Sequence, residues 1–353
     1  MSNKEDLRSL TNDRLEECMV RLGEKKFRAA QVFDWLHAKK TGSIQAMSNI
    51  SKDLRDKLSD TYDIYTVRPV KVLRSELDGT RKYLNELGDG NMIESVLLKY
   101  GYGYSLCISS QVGCRMGCRF CASTIDGLVR DLTAGEMAGQ IYAAEADIGE
   151  RIGHVVIMGS GEPLDNYDNL VDFIDIITDG RGANLGGRNI TVSTCGIAPK
   201  IRELADRKYA ITLALSLHAT TDEKRRRIMP VANRYGLDEV LDACRYYFDT
   251  TGRRITLEYS LISGENDSDE DMNGLSRIAP GLCSHVNLIP VNPIKEREYA
   301  ATSRKKALAL KNKLEKNHIN VTIRREMGRD IDGACGQLRR AFLNSASTGD
   351  KNV

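Results

Sequence analysis

Residues 104–121 read YSLCISSQVGCRMGCRFC, and this stretch decides how the rest of the chain is interpreted. Its first seven residues predict a strand, and three cysteines follow at once. Cys114, Cys118 and Cys121 have the spacing C-x3-C-x2-C. In a long chain, a tight group of cysteines is typical of a metal-binding or catalytic loop rather than of a disulfide framework. The sequence therefore predicts a reactive loop directly after a strand.

The same order of strand, loop and helix repeats along the chain after this point. Six strands are predicted, at residues 104–110, 154–158, 189–194, 211–217, 254–262 and 285–290. An amphipathic stretch follows each strand, at residues 134–146, 169–178, 199–207, 237–248, 271–279 and 302–317. Mostly apolar strands that alternate with helices predict a parallel sheet covered by helices.

Six such units favour a partial, open (βα)6 barrel, since a full barrel of this type needs eight. A doubly wound α/β sheet is the alternative, because periodicity does not separate the two. In either architecture, reactive side chains are expected in the loops after the carboxyl ends of the strands.

The first 103 residues follow other patterns. Residues 10–23 and 26–42 have a helical period and stop at Gly23 and Gly42. The pair Arg68-Pro69 breaks this pattern, and two Asp/Gly turn signals then predict a meander of short strands. The predicted division is a small helical N-terminal accessory domain (1–66), a β-rich linker (67–103), a barrel core with a C-terminal segment (104–345) and a tail (346–353).

Composition sets limits on the function. The chain has 353 residues, of which 41% are hydrophobic and 28% charged, and this is typical of a soluble globular protein. No run of ~18 apolar residues occurs, and the N-terminus is too charged for a signal peptide, so a cytoplasmic protein with no membrane partner is expected. The net charge of +2 gives no argument for nucleic-acid binding. An RNA partner would require local basic patches, with candidates at Arg28, Lys39, Lys40, Lys224, Arg225, Arg226, Arg227, Arg324 and Arg325.

The three clustered cysteines predict an iron–sulfur centre. Three thiolates on one short loop can bind three irons of a [4Fe–4S] cluster and leave the fourth iron open to a small molecule. Structural zinc is a rival, but it normally takes four protein ligands, and none has the expected spacing. A chance group of buried cysteines is the third alternative.

The cysteine motif, with Phe120 before its last cysteine and a six-fold βα domain after it, resembles the radical S-adenosylmethionine (SAM) enzymes. In that family the open iron binds SAM, and the reduced cluster cleaves it to a 5′-deoxyadenosyl radical. The loop Gly159-Ser160-Gly161-Glu162-Pro163 resembles the family's GGE-type element, which implies SAM contacts from Gly161 and Glu162. The resemblance implies further SAM contacts at the other strand ends, from Ser193 or Thr194, Ser216, Leu217, His218 and Asn292.

Segments spread over nearly the whole chain resemble the RlmN/Cfr family of RNA methyltransferases. They include FRAAQ, DGTRKYL, IESVLL, CISSQVGC, MGSGEPL, VSTCGIAP, RRRIMPV and DIDGACGQL. The resemblance implies methylation of C2 of adenosine, at position 2503 of 23S ribosomal RNA and position 37 of transfer RNAs. It also implies two SAM molecules per turnover. SQVGC and CRFCAST favour C2, with Cfr-like methylation of C8 as the alternative.

The same resemblance assigns three residues outside the cluster motif. Cys335 accepts a methyl group to become S-methylcysteine, and Cys107 resolves the RNA adduct through a transient disulfide with Cys335. Glu94 accepts the C2 proton. The resemblance implies no chemical role for the remaining cysteines, which are Cys18, Cys195, Cys244 and Cys283.

The same resemblance implies several partners, and two rival functions stand beside it. A flavodoxin or ferredoxin as electron donor, a monomer, and RNA binding by the N-terminal helices are expected. One rival is another radical SAM enzyme, such as an activase or a sulfur-inserting enzyme. The other is a non-catalytic iron–sulfur RNA-binding protein, which would be expected to saturate its cluster with four cysteines.

Overall fold

The computed structural model describes residues 4–282, 284–294, 296–331 and 338–339. Cys283 and Cys335 therefore lie outside the described residues. A ten-stranded mixed sheet dominates the described part, and β1–β2 and β7–β8 form two small separate pairs. Strands β1 to β14 are, in chain order, Glu5–Asp6, Tyr62–Asp63, Arg68–Arg74, Arg81–Glu86, Met92–Tyr100, Gly103–Ile108, Gln111–Gly113, Leu128–Asp131, His154–Ile157, Ile190–Thr194, Thr212–Ser216, Ile255–Leu261, His285–Pro290 and Val321–Ile323.

Ten α-helices accompany these strands in the described residues. Helices α1 to α10 are Asn12–Arg21, Arg28–Phe33, Lys52–Thr61, Ala134–Ile148, Tyr167–Thr178, Ala198–Asp206, Asp222–Ile228, Leu237–Thr251, Asp269–Ile278 and Arg304–Lys316. The helix predicted at 26–42 is shorter in the structure. It starts as α2, which ends at Phe33, and continues only as a π-helical turn, Asp34–Ala38.

The parallel half of the sheet confirms the predicted partial barrel. Strands β6, β9, β10, β11, β12 and β13 pair in parallel and lie side by side in chain order. A doubly wound sheet would reverse its strand order at a switch point, and this sheet does not. A short seventh strand, β14, extends the parallel half beyond the six predicted units.

The antiparallel half confirms the predicted meander. Strands β3, β4 and β5 pair antiparallel, and β5 pairs with β6, so the meander continues the barrel sheet. Val96 on β5 lies opposite Cys107 on β6. This register brings residues of the meander beside the first barrel strand, which the sequence alone did not indicate.

The N-terminal helices share a hydrophobic core with the barrel. Leu7, Phe33 and Leu36 are buried in the same apolar cluster as the barrel strands. Polar contacts to α4 add to this packing: Lys40 Nζ lies 2.6 Å from a carboxylate oxygen of Glu145. The packing fixes the position of these helices relative to the barrel. In the described part of the chain, no helix is both long and apolar enough to cross a membrane.

Candidate active site

A cavity of about 620 Å³ opens at the carboxyl ends of the parallel strands. Loops after β6, β9, β10, β11 and β13 contribute to it, as the barrel prediction requires. The cavity brings together most of the residues singled out from the sequence. Those lining it are Cys107, Cys114, Cys118, Cys121, Gly161, Glu162, Ser193, Thr194, Ser216, His218 and Asn292.

The cysteine loop connects β7 to β8, and it begins where the ends of these two strands lie close together. Gly113 has a φ of 80°, and a Cβ there would lie 2.0 Å from the carbonyl oxygen of Gly127, so only glycine fits. The next residue, Cys114, donates its N–H to the same oxygen at 2.9 Å. At the far end, the Thr124 hydroxyl donates to the carbonyls of Cys118 and Cys121. These bonds fix the backbone that presents the three thiols.

Burial keeps the isolated thiols protonated. It raises the pKa of Cys114 to about 12 and the pKa of Cys118 well above its ordinary value. A thiolate becomes stable in such a place only when a cation compensates its charge, and metal binding then releases the proton. A metal that bound these thiols would therefore displace their protons.

The loop after β9 packs directly against the segment that follows β6. A Cβ at Gly159 or Gly161 would approach that segment within 2.7 Å, which explains the glycines. The Glu162 carboxylate accepts the N–H of Cys195 at 2.7 Å and the N–H of Leu164 at 3.0 Å. Glu162 therefore braces the ends of β9 and β10 together, a role that the sequence did not reveal.

Three predicted SAM contacts lie at the ends of β10 and β11. Ser193 Oγ and Ser216 Oγ are 3.5 Å apart in the cavity wall. His218 accepts the N–H of Ser260 on Nδ1 at 2.9 Å, which places its own proton on Nε2. Burial lowers the pKa of His218 to about 3, with the charge of Arg225 adding to the effect, so the imidazole is neutral. It offers the cavity a neutral N–H donor.

Leu217 does not reach the cavity. Its side chain is fully buried in the main hydrophobic core. Its N–H donates to Glu258 O and its carbonyl accepts from Arg225, so its backbone is engaged as well. Of the predicted SAM contacts, this one is not brought together with the others.

Cys107 on β6 and Glu94 on β5 lie on neighbouring strands, and of the two only Cys107 is among the residues that line the cavity. Cys107 is 6% exposed and lines the same cavity as the three clustered cysteines. Glu94 lies on β5 on the same face as Val96, which also lines the cavity. Its carboxylate is 3.2 Å from Nζ of the buried Lys82 and accepts the N–H of Arg339 at 2.6 Å.

Comparison with known proteins agrees with this geometry. Residues 108–274 match the model of the radical SAM superfamily, and residues 5–64 match the ribosomal RNA large subunit methyltransferase N-terminal domain. A probable dual-specificity RNA methyltransferase RlmN from Lachnospira eligens is 57% identical over 345 residues, which cover 98% of this chain and 99% of that protein. The chain belongs to the RlmN family of radical SAM RNA methyltransferases.

Two further similarities extend over almost the whole chain. A second RlmN-named protein, from Lachnoclostridium phytofermentans, is 53% identical over 353 residues, which cover 100% of this chain and 99% of that one. The crystal structure of a radical SAM methyltransferase from Sphaerobacter thermophilus matches with a TM-score of 0.88 and 39% identity, covering 94% of this chain and 98% of that chain. An RlmN-family chain is an RNA methyltransferase, so its substrate is RNA.

Membership of the radical SAM superfamily implies a [4Fe–4S] cluster and SAM, and the residues present fit both. Three thiols of one loop line one cavity, beside neutral and polar donors at the strand ends. Among the described residues, no three His, Cys, Asp or Glu side chains converge as ligands to a single ion. Thiols that each bind a different iron of a cluster need not converge in that way.

The basic patch on α7 is smaller than the sequence predicted. Arg225 is fully buried and faces the protein interior, so it is not available to RNA. Lys224 is paired with Asp271 at 2.7 Å. Arg324 and Arg325 do line the cavity.

Sequence reasoning missed Glu258 on β12. Its side chain is 5% exposed, lines the cavity and accepts a hydrogen bond from Asn287 at 2.8 Å. Burial raises its pKa, and the charge of Arg324 opposes this rise. A lone carboxylate in an apolar strand, ITLEYSL, was the available signal.

Proposed function

We propose that this RlmN-family enzyme methylates C2 of adenosine, at adenosine 2503 of 23S ribosomal RNA and adenosine 37 of transfer RNAs. The observation that carries the proposal is that Cys107 lines the cavity of the three-cysteine loop. A second thiol in this position suits a reaction in which a sulfur–carbon bond to the RNA must be broken. The dual-specificity name of the relatives supports the two RNA substrates.

Adenine C2 determines what the site must supply. This carbon carries a hydrogen and no lone pair, so it cannot attack a sulfonium directly, whereas a carbon radical can add to it. When bound, the reduced [4Fe–4S] cluster supplies the electron that cleaves SAM to a 5′-deoxyadenosyl radical. That radical would remove a hydrogen atom from the methyl group on Cys335, and the methylene radical left there would add to C2. Cys114, Cys118 and Cys121 would hold the cluster.

The SAM molecule would be oriented by the strand ends around the cavity. Gly161 and Glu162 would lie beside its methionine part, and the neutral His218 would donate a hydrogen bond from Nε2. Further contacts would come from Ser193, Ser216 and Asn292. We propose that two SAM molecules are used per turnover, one as methyl donor and one as radical source.

Cys335 would carry the methyl group that reaches the RNA. It lies outside the described residues, but stretches before and after it contact the meander. Asp330 accepts hydrogen bonds from Ser75 Oγ at 2.6 Å and Glu76 N at 2.9 Å. After it, the Arg339 N–H donates to Glu94. Described residues on both sides of Cys335 therefore contact the meander, which also carries Glu94.

Two residues would complete the transfer. Glu94 would accept the proton that leaves C2, with the ammonium of Lys82 at 3.2 Å holding its carboxylate in place. The Cys107 thiolate would attack the sulfur of Cys335, forming a disulfide as the sulfur–carbon bond to the RNA breaks, and the released carbon would take up a proton to become the methyl group. A flavodoxin or ferredoxin would deliver electrons. The enzyme would act as a cytoplasmic monomer, with residues 1–66 as an RNA-binding domain.

Analysis of the product nucleoside tests this function. Anaerobically reconstituted enzyme is incubated with SAM, a reductant and either 23S ribosomal RNA fragments or transfer RNA, and the digested RNA is examined for methyladenosines. The expected product is 2-methyladenosine from both RNAs. Exclusive formation of 8-methyladenosine would show a Cfr-like enzyme instead. Cys118→Ala, with the cluster site broken, is the matched control and should give neither product.

A further inference from the structure

Arg225 is a buried cation for which the described residues provide no carboxylate in an ion pair. It lies on α7, is fully buried, and donates from Nε to Leu217 O at 3.3 Å and from Nη2 to Cys195 O at 2.5 Å. Its Nη1 is buried and has no hydrogen-bond partner among the described residues. Among the described residues, no Asp or Glu oxygen comes within 4.0 Å of its guanidinium. Its helix neighbours Lys224 and Arg226 each have a carboxylate within that distance.

A buried guanidinium needs a compensating negative charge. Arginine stays protonated in proteins, and an uncompensated buried charge is strongly destabilising. The carbonyl groups of Leu217 and Cys195 supply dipoles but no net charge. The Asp222 carboxylate on the same helix acts on this charge only from beyond 4.0 Å. The surroundings of Arg225 therefore favour a further anion in the working protein.

The cysteine loop lies next to Arg225. The C-terminal residue of α7, Ile228, accepts the N–H of Arg119 at 2.9 Å, which ties this helix to the loop. Ile228 packs in one small apolar cluster with Cys118 and Cys195. Cys195, whose carbonyl accepts the hydrogen bond from Arg225 Nη2, therefore packs in the same cluster as Cys118 of the loop.

We propose that Arg225 is the buried counter-charge of the iron–sulfur cluster and raises the reduction potential of that cluster. This inference rests on the proposed function, because it requires that the three cysteines hold a cluster. A [4Fe–4S] core with three thiolates is anionic, and reduction by the electron donor adds one more negative charge. Arg225 itself is not changed in this step. Net charge near a cluster is one of the factors that set its potential.

The direction of the effect follows from Coulomb's law. A fixed positive charge in an environment of low dielectric constant stabilises the more negative, reduced cluster more than the oxidised one. Removing it should lower the equilibrium constant for one-electron reduction by about tenfold or more. For a one-electron couple, a tenfold change corresponds to about 59 mV. Arg225 thus acts on the cluster through its positive charge and is not a ligand of iron.

The test compares three variants of the reconstituted holoenzyme. Arg225→Gln removes the charge and keeps one amide donor, and Arg225→Lys keeps the charge and loses the fork of donors. Arg226→Gln is the matched control, because Arg226 is the next residue on α7 and its side chain is 51% exposed. Reduction is followed by electron paramagnetic resonance during a potentiometric titration, with iron content measured on each sample.

We expect Arg225→Gln to bind iron and to be reduced about tenfold less readily, while Arg226→Gln and Arg225→Lys stay within about threefold of the wild type. A wild-type potential in Arg225→Gln would overturn the inference. An equal drop in Arg225→Lys would overturn it too, because hydrogen bonding and not charge would then be the cause. If Arg225→Gln does not fold, Arg225→Lys carries the test alone, and a tenfold drop in it refutes the charge role. A wild-type protein without any cluster signal would instead refute the proposed function.

Discussion

At the scale of single residues, Cys107 separates two stages of the proposed reaction. Without Cys107, Cys335 can still be methylated, activated and joined to adenine, but the thiolate that breaks the sulfur–carbon bond is missing. We expect Cys107→Ala to stop after the first attachment and to stay covalently bound to RNA. A denaturing gel should show a slow band that disappears after nuclease treatment.

The double variant is the control for this prediction. Cys107→Ala combined with Cys335→Ala lacks the methyl carrier and should show no slow band. A band that persists in the double variant would contradict the carrier role of Cys335. Normal turnover by Cys107→Ala would contradict the resolving role of Cys107.

His37 predicts how stability depends on pH. Burial lowers the pKa of His37 to about 3, so this imidazole is neutral in the folded protein, with Nδ1 3.0 Å from the Tyr142 hydroxyl. In the unfolded chain, a histidine titrates near 6.5. As pH falls below 6.5, the unfolded state therefore binds a proton that the folded state does not, and stability is lost. From pH 7.5 to 5.5 this single group should cost about 1.4 kcal/mol.

Urea unfolding at both pH values measures this cost. His37→Gln and His37→Phe both remove the imidazole, but only the glutamine can still hydrogen-bond to Tyr142. Both should lose about 1.4 kcal/mol less than the wild type between the two pH values, whatever their stability at pH 7.5. Parallel losses in wild type and variants would show that His37 is protonated in the folded protein.

Individual residues also show where sequence reasoning stops. The spacing of Cys114, Cys118 and Cys121 was enough to predict that the three thiols lie close together, and they do line one cavity. The run KRRR could not show that Arg225 alone of the four is buried. Its spacing to Ile228, one helical turn on, was a weak signal of a shared face. Burial of a charge depends on partners distant in sequence, here the carbonyl of Cys195.

At the scale of elements, the β7–β8 hairpin holds the start of the cysteine loop, and two of its glycines offer a matched pair of substitutions. Gly113 and Gly127 have φ values of 80° and 70°, so alanine is strained at both positions. Only at Gly113 does the new Cβ also meet backbone, 2.0 Å from the Gly127 oxygen, whereas at Gly127 it meets nothing within 4 Å. We expect about 1–2 kcal/mol of destabilisation from Gly127→Ala and roughly 2–5 kcal/mol from Gly113→Ala.

Iron content after reconstitution distinguishes local from global damage. Gly113→Ala should bind markedly less iron, because Cys114 is displaced together with its neighbour. Gly127→Ala should retain most of its iron. Equal iron content in the two variants would mean that the clash is relieved without moving the cysteine loop.

The elements themselves were predictable to different degrees. Long apolar strands such as β11 and β12 were located within one or two residues, since burial on both faces gives continuous apolar runs. Strand β14 has only three residues, and a run that short has no period to detect. The pairing of β5 with β6 was also not predictable, because it depends on the register between strands and not on either strand alone.

At the scale of the whole molecule, two basic residues near the N-terminus differ in their partners: Lys40 just after the π-helical turn, and Arg28 on α2. Lys40 is bound to Glu145 on α4 at 2.6 Å, so its charge joins the helices to the barrel. The Arg28 guanidinium lies 4.9 Å from the ring of the exposed Phe27 and has no carboxylate partner within the described residues. The first cation stabilises the fold, and the second remains available to a phosphate.

These different partners predict different effects of two similar substitutions. Arg28→Gln should change RNA binding, and Lys40→Gln should change stability. Arg28→Gln should leave the free energy of unfolding almost unchanged and reduce the slope of log affinity for RNA against log salt by about 0.7–0.9, the loss of one phosphate contact. Lys40→Gln should keep the wild-type slope and lower the stability by about 1 kcal/mol, since the Lys40 side chain is one-third exposed. Binding titrations at several salt concentrations and urea unfolding measure the two effects. If Lys40→Gln reduced the slope as much as Arg28→Gln, its ion pair with Glu145 would have to open when RNA binds, and the N-terminal helices would then shift on the barrel during recognition.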